Sequence, residues 1–328
     1  MRIPPRAGAA ALVLAALIPA TAVAKEPAIT VPQSKLAAAF HCHGAIDGAA
    51  SEPVMLVTGT GATGEEAYLL AQPALDVYGH PVCDVDFPDF TTADIQVSVQ
   101  YLVYGIREEA RRAGRRIAIA GISQGGLLPR IALTYWPSLR NKVTDVISIA
   151  GTQHGSTAHS DAVKPCSSRN PCPPADWQQI AGSNLLRTLN RRGDETPGPT
   201  SWTTVRSSTD ETVQPTTGRH PSSALAGATN ILIQRICPGR EVSHIGTGLD
   251  SVTIAAIVDA IDHPGPARVS RLPGDVCAHL YGPGFDEQQS GAADDGASKL
   301  IEDRLRHQVP LVRAEPRLRP WYRHRPPT

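Results

Sequence analysis

Four consecutive apolar residues, Ile117-Ala118-Ile119-Ala120, run straight into Gly121-Ile122-Ser123-Gln124-Gly125-Gly126, and a helix-compatible segment follows to Leu139. A run that is apolar at every position, not at alternate ones, suits a strand covered on both faces, as a central parallel strand is. A strand that turns at once into a helix restricts the fold more than any other stretch here, because it is half of a βαβ unit. Gly-x-Ser-x-Gly is also the spacing that a strained strand-to-helix turn demands, since glycines two residues either side of the serine remove side chains that would collide there. Taken alone, the five residues fit a plainer arrangement equally well, a glycine-rich turn whose serine caps a helix. Context from the rest of the chain has to decide.

That context is repetitive. Val54–Val57 reads as a buried strand ending in Thr58-Gly59-Thr60-Gly61, and a second strand fits Pro81–Val85. Between Asp94 and Gly114, Ile95, Val99, Leu102, Val103 and Ile106 recur at helical spacing. Arg111, Arg112, Arg115 and Arg116 crowd the end of that helix, where cations complement its dipole on a solvated face. Strand-like runs follow at Val143–Ala150, Thr203–Arg206 and Ile231–Ile236, and helical patterns at Trp177–Arg191 and Val252–Ile261; the segment Ser34–Gly44 is polar and partly helical. Strands alternating with helices predict an α/β fold, a mostly parallel sheet with helices on both faces. A chain of 328 residues accommodates this as one catalytic domain. Lys plus Arg and Asp plus Glu number 31 each, so nothing in the overall charge points to nucleic acid, and no zinc-type Cys/His spacing is present.

A lone hydroxyl is a poor nucleophile, so Ser123 needs a base and an acid that orients it. On a sheet of this kind the order along the chain is serine, then Asp or Glu, then His, each just beyond a strand. Asp210 follows the Thr203 strand and His244 follows the Ile231 run. His154 precedes Asp210, the wrong order, and His263 stands beside a proline at a helix end. Chemically, His244 would take the Ser123 proton as base and Asp210 would fix its tautomer. The N–H of Gln124 is one donor for an oxyanion, and Thr60, in the turn after the first strand, supplies the second through its N–H and its hydroxyl. A phosphate-binding loop is disfavoured at Thr58–Gly64, because no Gly-Lys-Ser/Thr follows.

The termini and cysteines concern where the chain works. Arg2 and Arg6 precede an apolar run from Ala7 to Ile18, and Ala22-Val23-Ala24 fits a signal-peptidase site. The run is shorter than the ~20 residues of a spanning helix, so residues 1–24 read as a signal peptide, leaving a secreted protein with no transmembrane segment after processing. In an oxidising compartment, six cysteines imply three bridges among 15 possible connectivities. Cys166 and Cys172 bracket a Pro-rich loop and are expected to close it locally. The catalytic domain is expected over residues 25–303. The Arg/Pro-rich tail, residues 304–328, is expected to be disordered. Pro129 falls early in the helix after Ser123, where it removes a backbone bond.

Several stretches together resemble the Candida antarctica lipase B family of α/β-hydrolases: Val57–Gly64, Ser123–Leu127, Leu133–Val143, Trp177-Gln178-Gln179 and Thr209–Pro215, in that order and across roughly residues 35–285. Ser123–Arg130 and His154-Gly155-Ser156 are also similar to secreted bacterial class 2 lipases. The resemblance implies the α/β-hydrolase fold and a Ser123, Asp210, His244 triad, with Thr60 and Gln124 at an oxyanion hole. It also implies bridges Cys42–Cys83 and Cys237–Cys277, no cofactor or metal, and a lipid or small carboxylic ester as substrate. The implied substrate pocket comprises Ile122, where the family has tryptophan, Thr152 in place of an acyl-side aspartate, the matching Gln179, and Thr212 and Val213 after the triad acid. The segment Ala158–Ala175 stands where the family has a mobile helix. The similarity fades after about Gln288. A secreted serine carboxylester hydrolase, lipase or esterase, is the leading expectation. An acyltransferase would use the same triad, and a non-catalytic binding protein would keep only the fold.

Overall fold

The computed structural model describes residues 25–158 and 165–323. Seven strands, β1 (Phe40–His43), β2 (Val54–Val57), β3 (Val82–Val85), β4 (Ile117–Ile122), β5 (Val143–Ile149), β6 (Ser201–Arg206) and β7 (Thr229–Leu232), form one sheet in the order β1-β3-β2-β4-β5-β6-β7. Only β1 pairs antiparallel; every other neighbour is parallel. The principal helices are α1 (Gln33–Ala38), α2 (Gly64–Tyr78), α3 (Ile95–Ala113), α4 (Gln124–Tyr135), α5 (Pro174–Gln179), α6 (Asn184–Asn190), α7 (Ser251–Asp262) and α8 (Glu287–His307).

Alternation along the continuous apolar strands feeds two cores. Met55, Val57, Ile117 and Ile119 pack with Val99, Leu102 and Ile106 of α3 and Leu128 and Ile131 of α4. Their neighbours Val54, Leu56, Ala118 and Ala120 face the other way, against Ala74 and Leu75 of α2 and Val252, Ala256 and Ile257 of α7. This double burial is why β2 and β4 lack the polar alternation of a half-exposed strand. The sheet order also places the turn after β4 between those after β2 and β5, at the rim where such sheets bind ligands.

Several sequence boundaries shift, each for a local reason. The Ile231–Ile236 run is strand only to Leu232 and helical from Ile233, because its ladder partner β6 ends at Arg206 opposite Leu232. The Trp177–Arg191 pattern splits into α5 and α6 at Gly182, whose φ is 83°, and Ser183 then caps α6 by accepting from Leu186 N. The helix after Ser123 continues through Pro129 but stops at Tyr135, before Trp136-Pro137, since a residue preceding proline disfavours the α conformation. The polar N-terminal segment contains β1, whose Cys42 lies opposite Cys83 and is bonded to it. Helix α2, absent from the sequence expectation, begins with a reciprocal cap between Thr63 and Glu66.

The expected disordered tail is corrected over residues 304–323. Tyr322 is fully buried and stacks on Tyr135 at 4.7 Å, and Tyr135 donates its hydroxyl to Tyr322 O at 2.8 Å. Glu315 accepts from Asn184 N and Leu185 N at 2.9 Å each, satisfying free donors at the start of α6. Gln96 bonds Arg317 O and Arg319 N. The arginine and proline density had masked three anchors, Leu318, Trp321 and Tyr322, which pack on the first core. The folded body therefore extends past residue 303. Residues 1–24, 159–164 and 324–328, which include the signal-peptide reading and part of Ala158–Ala175, lie outside the described residues. The described cysteines form Cys42–Cys83, Cys166–Cys172 and Cys237–Cys277. Among the described residues no helix is long and apolar enough to cross a membrane.

Candidate active site

Ser123 leaves β4 with φ 57° and ψ −122°, a region that costs a non-glycine residue about 1–3 kcal/mol and persists only when its surroundings enforce it. The surroundings do so: Ser123 N donates to Ile149 O at 2.9 Å, and Ser123 O accepts from Gly126 N at 3.0 Å and Thr152 N at 3.3 Å. The flanking glycines are steric necessities. A Cβ on Gly121 would lie 2.2 Å from Gly125 O, and one on Gly125 would lie 2.0 Å from Val57 O. Both neighbours are backbone, which cannot swing aside. Gly125→Ala is accordingly expected to destabilise the fold by about 3 kcal/mol, the upper range for overpacking, read as a fall in Tm; an unchanged Tm would show that the elbow has slack.

Asp210 and His244 stand in the loops beyond β6 and β7. Asp210 Oδ1 accepts from Thr212 N at 2.8 Å and Val213 N at 2.9 Å, which leaves Oδ2 to face His244 Nδ1 at 2.9 Å. Both residues are buried. His244 N donates to Glu211 Oε2 at 3.0 Å, so the residue after the acid holds the backbone of the histidine. With Nδ1 donating to Asp210, Nε2 carries the lone pair. Burial disfavours the imidazolium, but the hydrogen bond and charge of Asp210, with the charges of Glu211 and Asp294, outweigh it and raise the His244 pKa above its ordinary 6.5. Among the described residues, no hydrogen bond joins His244 to Ser123 Oγ; such bonds are often long in unliganded sites and tighten around substrate. The turn after His244 does approach the elbow, because a Cβ on Gly248 would lie 3.1 Å from Ile122 Cδ1.

On the other side of Ser123 runs the turn after β2, where a Cβ on Gly59 would meet Ser123 Cβ at 3.0 Å. Thr60 Oγ1 donates to Gln124 Oε1 at 2.8 Å. Gln179 Nε2 reaches Thr60 Oγ1 at 2.9 Å and Gln124 Oε1 at 3.0 Å, and Thr152 Oγ1 donates to Gln179 Oε1 at 2.9 Å. Four side chains named from the sequence thus form one network. The N–H groups of Thr60 and Gln124 bond to no acceptor among the described residues, leaving two backbone donors free beside the hydroxyl. Thr212 and Val213 adjoin Asp210.

The rival histidines are occupied elsewhere, His154 Nε2 on Glu195 at 2.8 Å and His263 on Asp259. What the sequence reading missed is α8. Asp294 accepts from Ser243, the residue before His244, and Arg304 bonds Gly61, the residue after Thr60. No spacing rule links residues so far apart, and only the folded arrangement reveals them.

A mostly parallel sheet that holds a serine in strained backbone geometry at the end of a central strand is the architecture of the α/β-hydrolases. Lipase B of Pseudozyma antarctica is 33% identical over 247 residues, 72% of this chain and 70% of that protein. The crystal structure of Aspergillus fumigatus lipase B superposes with a TM-score of 0.82 at 28% identity, covering 90% of this chain and 73% of that one. No protein-family model matches the chain. The chain belongs to the lipase B family, and as a member it is a carboxylester hydrolase.

Proposed function

We propose that the protein is an exported serine hydrolase that cleaves carboxylic esters through an acyl-enzyme on Ser123. The observation that carries this reading is the buried Asp210–His244 bond at 2.9 Å, beyond strands on the same rim of the sheet as the strained serine. His244 Nε2 takes the Ser123 proton as Oγ attacks the ester carbonyl. The oxyanion that forms accepts from the free N–H groups of Thr60 and Gln124, and the Thr60 hydroxyl turns from Gln124 Oε1 toward it while Gln179 keeps that oxygen bonded. His244 then gives the proton to the departing alcohol, leaving the acyl group on Ser123. Water, deprotonated by the same imidazole, attacks the acyl carbonyl; the acyl–Oγ bond breaks, His244 returns the proton to Ser123 Oγ, and the acid leaves. Each oxyanion donor contributes about 3–4 kcal/mol of barrier lowering in sites of this type.

Thr152 and Gln179 would line the acyl side, with Thr212 and Val213 nearby. Half-exposed Ile122, beside Gly248, would line the alcohol side. Ile122→Trp fills that side and is expected to lower kcat/KM for esters of bulky secondary alcohols about tenfold or more relative to ethyl esters. Unchanged selectivity in paired initial rates would remove Ile122 from the pocket. Export is supported by the N-terminal pattern of residues 1–24 and by three disulfides. The test of the whole reading is a chain-length series of p-nitrophenyl esters beside emulsified triglyceride. Turnover of short and medium acyl chains is expected, and an enzyme that hydrolyses none of them would contradict it.

A further inference from the structure

Helix α8 is 21 residues long, yet only Ser290 among its residues is buried. Deep apolar burial, the usual source of helix stability in proteins, is lacking, although Ala293, Ala297, Ile301 and Leu305 form a half-buried seam at helical spacing. Polar contacts add to that seam, and they fall at two places. In its first half, Asp294 Oδ2 accepts from Ser243 Oγ at 2.6 Å, and Ser243 Oγ accepts from Gly246 N at 2.8 Å. Ser243 O accepts from both Thr247 N and Thr247 Oγ1, at 2.9 and 2.8 Å. Ser243 thus closes the turn that carries His244, and Asp294 anchors Ser243. The fit is close: a Cβ on Gly246 would lie 3.0 Å from Asp294 Oδ2.

Ten residues on, about 15 Å along the helix, Arg304 engages the turn that carries Thr60. Its two terminal nitrogens bond the two oxygens of Glu66 at 2.7 Å each, and Nη1 also donates to Gly61 O at 3.1 Å. The guanidinium lies 4.5 Å over the Phe90 ring, and Gly61 N donates to Phe90 O at 2.8 Å. Ile301 fills the space over Gly61, where a Cβ would lie 2.6 Å from Ile301 Cγ2.

We infer that Asp294 and Arg304 are positioning residues, and that α8 is a brace fixing the His244 turn and the Thr60 turn at a set separation. The inference rests on the roles proposed above for those two turns. Asp294 also acts by charge. Among the described residues the charges acting on His244 are Asp210 and Glu211 from the loop after β6 and, most weakly, Asp294 from α8. Partial burial, with Glu211 and Asp295, raises the pKa of Asp294 itself, against the Ser243 hydrogen bond and His244, and Tyr281 lies in the field of Asp294. An anion at Asp294 favours the imidazolium, so removing it lowers the pH at which His244 becomes a free base.

The experiment measures kcat and KM for p-nitrophenyl butyrate against pH in the full chain, with kcat referred to active sites titrated by a fluorophosphonate and Tm recorded for each variant. Asp294→Ala and Arg304→Gln are each expected to lower kcat about tenfold with KM within about twofold, as small misplacements of reacting groups do. The double variant should lose no more than about the worse single one, because both act through one element. Asp294→Asn keeps an acceptor for Ser243 without the charge. It should retain most of kcat while the acid limb of kcat/KM moves to lower pH, because one anion that favours the imidazolium is gone. Unchanged kcat and acid limb per titrated site would overturn the brace, as would losses that vanish once unfolded protein is discounted. Ser123→Ala in parallel separates the two claims: if it stays active the triad reading fails, and if it is dead while the α8 variants behave as wild type the brace alone fails.

Discussion

Ser123→Ala is expected to lower kcat for p-nitrophenyl butyrate by about 10^5-fold or more, as removal of a triad nucleophile does. The loss is large because acyl transfer to the protein disappears entirely, not because the site collapses. The alanine occupies the same elbow, and the bonds holding it there, Ser123 N to Ile149 O and Gly126 N and Thr152 N to Ser123 O, are all backbone. Tm should therefore stay within about 2 °C of the parent, corresponding to a surface-sized change in stability. Residual turnover should come from the oxyanion donors acting on attacking water. A variant retaining a tenth of parental activity would require another nucleophile.

Asp210→Asn is expected to cost about 10^4-fold in kcat through a tautomer error. Thr212 N and Val213 N both donate to Oδ1, so the carboxamide oxygen takes that position and the NH2 group faces His244 Nδ1. Nδ1 must then accept, its proton moves to Nε2, and the nitrogen meant to receive the Ser123 proton is already protonated. The variant also loses the hydrogen bond and charge that, against burial, raise the His244 pKa. The sign is fixed: imidazolium cannot accept the serine proton, so kcat/KM falls as pH drops through the His244 pKa. In the parent that midpoint lies above 6.5, and in Asp210→Asn the remaining activity should persist to lower pH. An acid limb that does not move would dissociate it from His244.

The parts legible in the sequence are those specified locally. The elbow was readable because its glycines are forced by backbone atoms within a few residues of Ser123, and by Val57 of a strand whose own pattern was plain. The pairing of Asp210 with His244, 2.9 Å apart, was readable because strand order confines candidate partners of Ser123 to particular loops. Helix α8 was not, because its apolar stripe, Ala293, Ala297, Ile301 and Leu305, is small-sided and set among charges and the glycines Gly291 and Gly296, and its anchors Ser243 and Glu66 lie 51 and 238 residues from their partners. β1 escaped because its core-facing side is only Phe40 and Cys42, too short an alternation to stand out, and its pairing is held by an edge ladder and the Cys42–Cys83 bond. In the tail, Trp321 and Tyr322 outweigh the surrounding arginines once Tyr135 and Trp136 offer rings to pack on.

The central claim, that the hydroxyl at position 123 is the activated nucleophile, is tested most directly by locating the residue that a fluorophosphonate modifies. Peptide mass spectrometry of the labelled full chain should place a single adduct on Ser123, formed faster as pH rises through the His244 midpoint. An adduct on another residue, or a chain that hydrolyses esters while Ser123 stays unmodified, would contradict the account.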